Sequence, residues 1–212
     1  MPEKYIRSAA GSALAPKLLG SYEVELHSAI AQTLDRERRV VVDIGCAVGY
    51  YAVGYAFRWQ NATVYAFDSD ENARQLCHHL AVLNRLQSRV LVRGTCTIAK
   101  LRCIPLDDAL IICDCEGAEL ELLRPDLVPG LRTSTLIVEL HDSFQEGITD
   151  EIASRFSDSH DITLIHSRAR DAGQYPELRF LSSAKQRLAL FEDRGISFTR
   201  WGFLQPKVRH RD

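Results

Sequence analysis

The sequence predicts an α/β fold, a doubly wound and mostly parallel sheet of about seven strands, and three observations predict it. Short apolar runs alternate with amphipathic stretches from Arg39 onward, the order that a parallel sheet with helices on both faces requires. The runs are rich in Val and Ile and do not alternate polar with apolar, as expected of strands buried on both faces. A glycine-bearing turn joins the first run directly to a helix-like stretch.

Taken in order, residues 1–36 read as an arm and one helix, and residues 37–212 as a single domain. The helix is expected from Ser21, a candidate N-cap, with Tyr22, Leu26, Ile30 and Leu34 at four-residue spacing. Strands are predicted at 39–45, 62–67, 89–93, 109–114 and 134–140, with 161–166 and 198–204 as the last two. Between the second and third, 70–86 predicts a helix that opens with Asp70 and Glu71 and buries Ala73, Leu76, Cys77, Leu80 and Leu83. His78 and His79 fall on its solvated side. Pro125, Pro129 and Gly130 break the helix after the fourth strand. The segment 168–176 is polar and irregular, and is expected as a loop near the site.

Composition narrows the function. With 212 residues, 46% of them apolar, the chain can bury one sizeable core. Its formal charge of −2 lacks the basic footprint that a phosphate backbone demands, so nucleic acid is not an expected partner. No apolar run is long enough to span a bilayer and the start has no signal-peptide pattern, which predicts a cytoplasmic protein with no membrane partner. The six cysteines lie between 46 and 115 and read as buried free thiols, since none shows a zinc spacing.

The strongest constellation is VVVDIGCAVGYYA, a buried strand ending in Asp43 that opens through Gly45 and Gly49 into a helix. Glycine suits a turn with strained dihedrals and a close backbone approach. The Gly-x-Ala-x-Gly spacing lacks the third glycine that seats a pyrophosphate in dinucleotide folds, which favours a cofactor without one. Nineteen residues after Gly49 the second strand ends in Asp68, placed to accept hydrogen bonds from both hydroxyls of a ribose. Strand, turn, helix, strand and terminal acid together read as a nucleoside site.

VVVDIGCAVGYYA, VYAFDSD, ALIICDCEGAELELL and LIVELHD resemble the successive motifs of FkbM-type methyltransferases, a branch of the class I S-adenosylmethionine (SAM) dependent enzymes with a Rossmann-like fold. The resemblance covers residues 39–142 well. Its most specific piece is Asp114-Cys115-Glu116-Gly117-Ala118-Glu119. It implies that Asp43 lies near the methionine portion of SAM, that Gly45, Ala47 and Gly49 line it with backbone, and that Asp68, with Ser69 beside it, holds the ribose. Where class I enzymes often have an acid after the third strand, this chain has Arg93-Gly94-Thr95-Cys96, so Thr95 or Cys96 is expected at the adenine.

The fourth and fifth strands deliver Asp114 and Glu116, then Glu139, His141 and Asp142, to the strand tips where an open sheet binds ligands. His141 is the candidate base, oriented by Glu139 or Asp114, if the acceptor holds a proton that must leave. Glu116 and His141 are candidate acceptor contacts, and Tyr22 and Glu23 are candidates to close over the site, with plain packing of Tyr22 as the alternative. Asp114, Glu116, Glu139 and His141 also form a donor set that a divalent ion accepts, but the expectation is no metal. Of Glu119 and Glu121, at least one is expected on a solvated helix face; His160 and His166 are expected to be structural. The expected function is methyl transfer from SAM to a small molecule or peptide, with oxygen slightly favoured. The rivals are a SAM-binding or partner-binding domain without catalysis, and a nucleotide-dependent oxidoreductase.

Overall fold

A computed structural model describes residues 13–192 and 200–207 of the chain. Seven strands form one sheet in the order β3-β2-β1-β4-β5-β7-β6. They are β1 (Val40–Ile44), β2 (Thr63–Phe67), β3 (Val90–Arg93), β4 (Leu110–Cys113), β5 (Thr135–Leu140), β6 (His160–His166) and β7 (Arg200–Pro206). β1 to β5 are parallel, and only β7 runs antiparallel to its neighbours β5 and β6. The strand order reverses between β1 and β4, where a doubly wound sheet leaves its ligand crevice.

The period of two along each strand divides the core. Val42, Ile111, Leu136 and Phe156 belong to one face, and Val41, Leu110, Ile112, Ala52 and Trp59 to the other. β1, β4 and β5 are buried along their whole length, whereas β6, at an edge, is exposed at most positions. This explains why the central strands were the plainest runs in the sequence.

The helices are α1 (Leu14–Leu19), α2 (His27–Leu34), α3 (Tyr50–Arg58), α4 (Glu71–Leu83), α5 (Ile98–Arg102), α6 (Glu119–Leu122), α7 (Ile148–Phe156) and α8 (Ser183–Ala189). Among the described residues none is long and apolar enough to cross a membrane. Asp70 caps α4, accepting from Asn72 N at 3.0 Å. Ala73 and Cys77 are buried as expected, but Leu83 is exposed, because the stripe turns away from the sheet and Ala81 takes the inner place. His78 and His79 are exposed.

The helix expected from Ser21 begins later. Glu23 adopts φ 48, a left-handed value that interrupts the helix; Val24–Leu26 forms a 3₁₀ turn and α2 starts at His27. Ser21 Oγ donates to Pro16 O rather than capping. Part of the arm is helical, as α1; residues 1–12 lie outside the described residues. α6 ends before Pro125. Residues 168–176 are irregular as expected, and Arg170 ties them to Glu25 at 2.9 Å and Glu192 at 2.7 Å. They therefore brace the 3₁₀ turn before α2. His160 is buried between Ser159 Oγ and Ser134 O, a structural role.

Candidate active site

The turn after β1 is shaped by backbone contacts. Gly45 N and Cys46 N both donate to Phe67 O at 2.9 Å, fixing the turn to the end of β2. Gly45 has φ 81, and a Cβ on it would lie 1.6 Å from Asp114 O, so any side chain would force β1 and β4 apart. Ala47 takes φ 44 and is held there by its N–H, which donates to Asp68 Oδ2 at 2.9 Å. Gly49, at φ 85, faces Cys77, whose Sγ would be 2.8 Å from an added Cβ.

Above this turn a cavity of about 460 Å³ opens at the strand tips. Gly45 and Ala47 form part of its wall, Asp68 and Ser69 another, Thr95 and Cys96 a third, and Asp114 and Glu116 the side toward β4. Residues expected around one ligand from four separate segments thus share one cavity. Ile44, Phe67, Ala73 and Leu122 supply apolar wall. Asp68 also receives Asp70 N on Oδ1 at 2.9 Å. Two N–H donors leave an ionised carboxylate with about two of its four lone-pair positions, enough for a vicinal pair of hydroxyls.

Two expected cofactor residues stand behind the cavity rather than on its wall. Gly49 packs on α4, as above. Asp43 is 2% exposed and accepts from Ala52 N at 2.9 Å, so it anchors the first turn of α3. Burial pushes its carboxyl up to about 7, opposed by the Ala52 hydrogen bond and reinforced by the charges of Asp114 and Asp68.

The tips of β4 and β5 assemble a second group. His141 Nε2 lies 3.5 Å from Asp114 Oδ1 and 3.8 Å from Glu139 Oε2, while Nδ1 is 2.6 Å from Glu119 Oε1. Asp114, Glu139 and His141 offer ligand atoms that all fall within 4.8 Å of one another. Glu116 is exposed on the cavity wall, outside this cluster. Burial alone would lower the His141 pKa; the Glu119 hydrogen bond and the charges of Glu119, Asp114 and Glu116 outweigh it and hold the imidazole above its ordinary 6.5. Burial likewise opposes the Glu119 carboxylate, but the hydrogen bond from His141 keeps its pKa below the usual value. Asp142 turns away: it receives Thr149 N at 3.1 Å and caps the start of α7.

Glu119 was the least visible of these. Of the two glutamates on α6, Glu121 is exposed at the cavity rim as expected for one of them, but Glu119 is 0% exposed. Only its place in the Asp-x-Glu-Gly-x-Glu element set it apart. Lys17 was missed altogether. Its Nζ sits 4.5 Å from the Tyr22 ring centroid and 5.2 Å from that of Tyr50. Burial brings its pKa down to about 8, against the pull of Glu23, Asp43 and Asp114. Tyr22 and Glu23 join this aromatic group, not the cavity wall. Tyr22 meets Tyr50 edge-on at 5.3 Å, and buried Glu23 accepts from the Tyr51 hydroxyl. All described cysteines are free; Cys103 is exposed rather than buried, and Cys96 and Cys115 face the cavity.

No family model and no curated protein matches the chain. Solved structures do. A precorrin 8w decarboxylase from Methanobacterium thermoautotrophicum aligns with TM-score 0.56 at 22% identity, over 88% of this chain and 90% of that one. A precorrin-6y C5,15-methyltransferase from Geobacter metallireducens gives 0.54 at 12%, over 84% and 88%. An O-methyltransferase from Bacillus cereus, in complex with S-adenosylhomocysteine (SAH), gives 0.53 at 14%, over 96% and 86%. At such identities the likeness is one of architecture: this chain has the Rossmann-like fold that these methyltransferases and this decarboxylase share.

Proposed function

We propose that the chain is a SAM-dependent methyltransferase acting on a small molecule or peptide group, with oxygen favoured over nitrogen as the atom methylated. The observation that carries the reading is the cavity at the β1/β4 switch point. There a turn presenting backbone, a carboxylate with acceptor capacity left over, and the Thr95 and Cys96 segment all face one space.

Bound SAM would supply an activated methyl group on a sulfonium. Asp68, with Ser69 beside it, would hold the ribose hydroxyls, Thr95 and Cys96 would flank the adenine, and Gly45 and Ala47 would line the methionine part. Asp114, on the cavity wall, would give that end a negative field suited to a cationic group. On the acceptor side His141, Asp114 and Glu139 would face an acceptor hydroxyl and favour loss of its proton. Glu116, exposed on the cavity wall, would contact the rest of the acceptor, while Tyr22 and buried Glu23 pack beside the turn. The Asp114 to Glu119 element supports the finer assignment to the FkbM-type branch. The absence of a basic surface excess argues against nucleic acid, and the exposed free Cys103 suits a reducing, cytoplasmic setting.

Calorimetric titration with SAH tests the reading. A ligand that binds only the folded state stabilises it by about 2.7 kcal/mol at a hundred times its Kd. A flat titration at millimolar SAH in folded protein would remove the proposal. Stabilisation by NAD instead would turn it toward an oxidoreductase, and SAM binding with no turnover of any metabolite or peptide pool toward a binding domain.

A further inference from the structure

We propose that Asp114, Glu139 and His141 bind a divalent first-row transition ion, Mn²⁺ or Zn²⁺ in preference to Mg²⁺, at the acceptor side of the cavity. The proposal deepens the reading above, which locates the acceptor there.

Geometry supplies the first argument. Metal bonds of about 2.1 Å to oxygen and nitrogen place neighbouring ligand atoms about 3.0 to 3.4 Å apart, in octahedral or tetrahedral geometry. His141 Nε2 is already 3.5 and 3.8 Å from the Asp114 and Glu139 oxygens, so side-chain shifts of under 1 Å close the site. All three ligands come from the ends of β4 and β5, which pair in parallel from Leu110 to Cys113, so the sheet fixes their spacing.

The second argument is the state of Glu119. A metal-bound imidazole is oriented through its other nitrogen, usually by a carboxylate. Glu119 provides this contact to Nδ1 at 2.6 Å, which leaves Nε2 directed at the two remaining carboxylates. Glu119 is 0% exposed, and its Oε2 has no hydrogen-bond partner among the described residues. One imidazole therefore faces three carboxylates in a half-enclosed space. Such a set of one nitrogen and several oxygen donors converging from two strand ends is one that a divalent ion accepts. Asp114 also lines the cavity, so an ion on its carboxylate borders the space where an acceptor oxygen would bind.

The third argument decides the metal. Mg²⁺ and Ca²⁺ select oxygen donors, whereas an imidazole among carboxylates suits Mn²⁺, Fe²⁺ or Zn²⁺.

The test uses the full chain freed of metal with a chelator, titrated with Mn²⁺ by calorimetry and followed by its electron paramagnetic resonance. One ion per chain is expected, with a nitrogen coupling in the pulsed spectrum that disappears in His141→Gln. Asp114→Asn and His141→Gln should weaken binding at least tenfold, and Glu119→Gln roughly tenfold through the orientation of His141. Asp126→Asn, a surface control, should leave it unchanged. Thermal melts identify any variant that fails to fold; Asp114, whose side chain is 36% exposed, then carries the test. No saturable site at millimolar Mn²⁺ or Zn²⁺, unchanged affinity in the ligand variants, or tighter binding of Mg²⁺ would overturn the proposal. SAH affinity on the same metal-free samples separates the two readings: its absence counts against the methyltransferase, while absent metal binding beside intact SAH binding counts against the ion site alone.

Discussion

The two halves of the crevice are built by different means. On the β1 to β3 side the cavity wall is largely main chain. Gly45 and Ala47 hold left-handed values, and the acid that completes the wall, Asp68, is itself tied to the Ala47 and Asp70 N–H groups. On the β4 and β5 side the structure is carried by side chains: Asp114 lines the cavity, and next to it His141 is held among Glu119, Asp114 and Glu139. The first half should tolerate changes that preserve backbone shape and the Asp68 carboxylate. The second depends on the identity of each group.

The largest effect that would sharpen this contrast is kinetic. His141→Gln should slow methyl transfer by roughly 10² to 10⁴ with SAH affinity nearly unchanged; single-turnover rates and calorimetry on the same variant read the two separately. If binding falls with rate, the halves are not independent.

Gly45→Ala should break the division, because Gly45 is where the halves touch. A Cβ 1.6 Å from Asp114 O, on a residue at φ 81, is expected to cost at least about 2 kcal/mol in urea denaturation. Gly54→Ala, in α3 with open space around it, should instead add about 0.5 to 1 kcal/mol.

Asp68→Ala should weaken SAH binding by about tenfold to a hundredfold, the loss of one or two hydrogen bonds to a charged acceptor. It should also lower the melting temperature, since two N–H groups lose their partner.

A further effect, spread over pH, comes from Asp43. Asp43 has a folded pKa of about 7 against 3.8 for the free group, so between these values the folded state holds a proton that the unfolded state has released. Stability of the ligand-free protein should then fall as pH rises through that window, by at most about 1.4 kcal/mol per unit from this group. Asp43→Asn, which keeps an acceptor for Ala52 N, should flatten that slope in denaturation measured from pH 4 to 8.

The same contrast explains what was legible in the sequence. Val40–Ile44, apolar but for Asp43, and Leu110–Cys113 lack polar alternation because both faces are covered, and Asp68 stood out because a strand, a turn and a helix fix its distance from Gly49. A backbone-built wall leaves a spacing in the sequence. Glu119 left none: its partner His141 is twenty-two residues away, just past β5. Lys17 was invisible because its importance comes from two tyrosine rings beyond its own helix. The helix expected at Tyr22 failed for a similar reason. Tertiary contacts hold Glu23, whose N–H donates to Glu192 Oε1 and whose carboxylate meets Tyr51, and they override local periodicity. The position of β7 between β5 and β6 was equally unreadable, since apolar runs do not declare strand order.

That last arrangement has a consequence for how the protein is made. Among the described residues β6 has no sheet neighbour except β7, and Glu139 is opposite Trp201 in the register of β5 with β7. β1 to β5 pair only with one another and with β7, so a ribosome has released their sheet before Arg200–Pro206 is free to insert. Until then β6 lacks a partner and the outer edge of β5, with Glu139 on it, is uncovered. Synthesis therefore separates the halves in time: the β1 to β3 wall can form on the emerging chain, while the side that would meet the acceptor waits for β7.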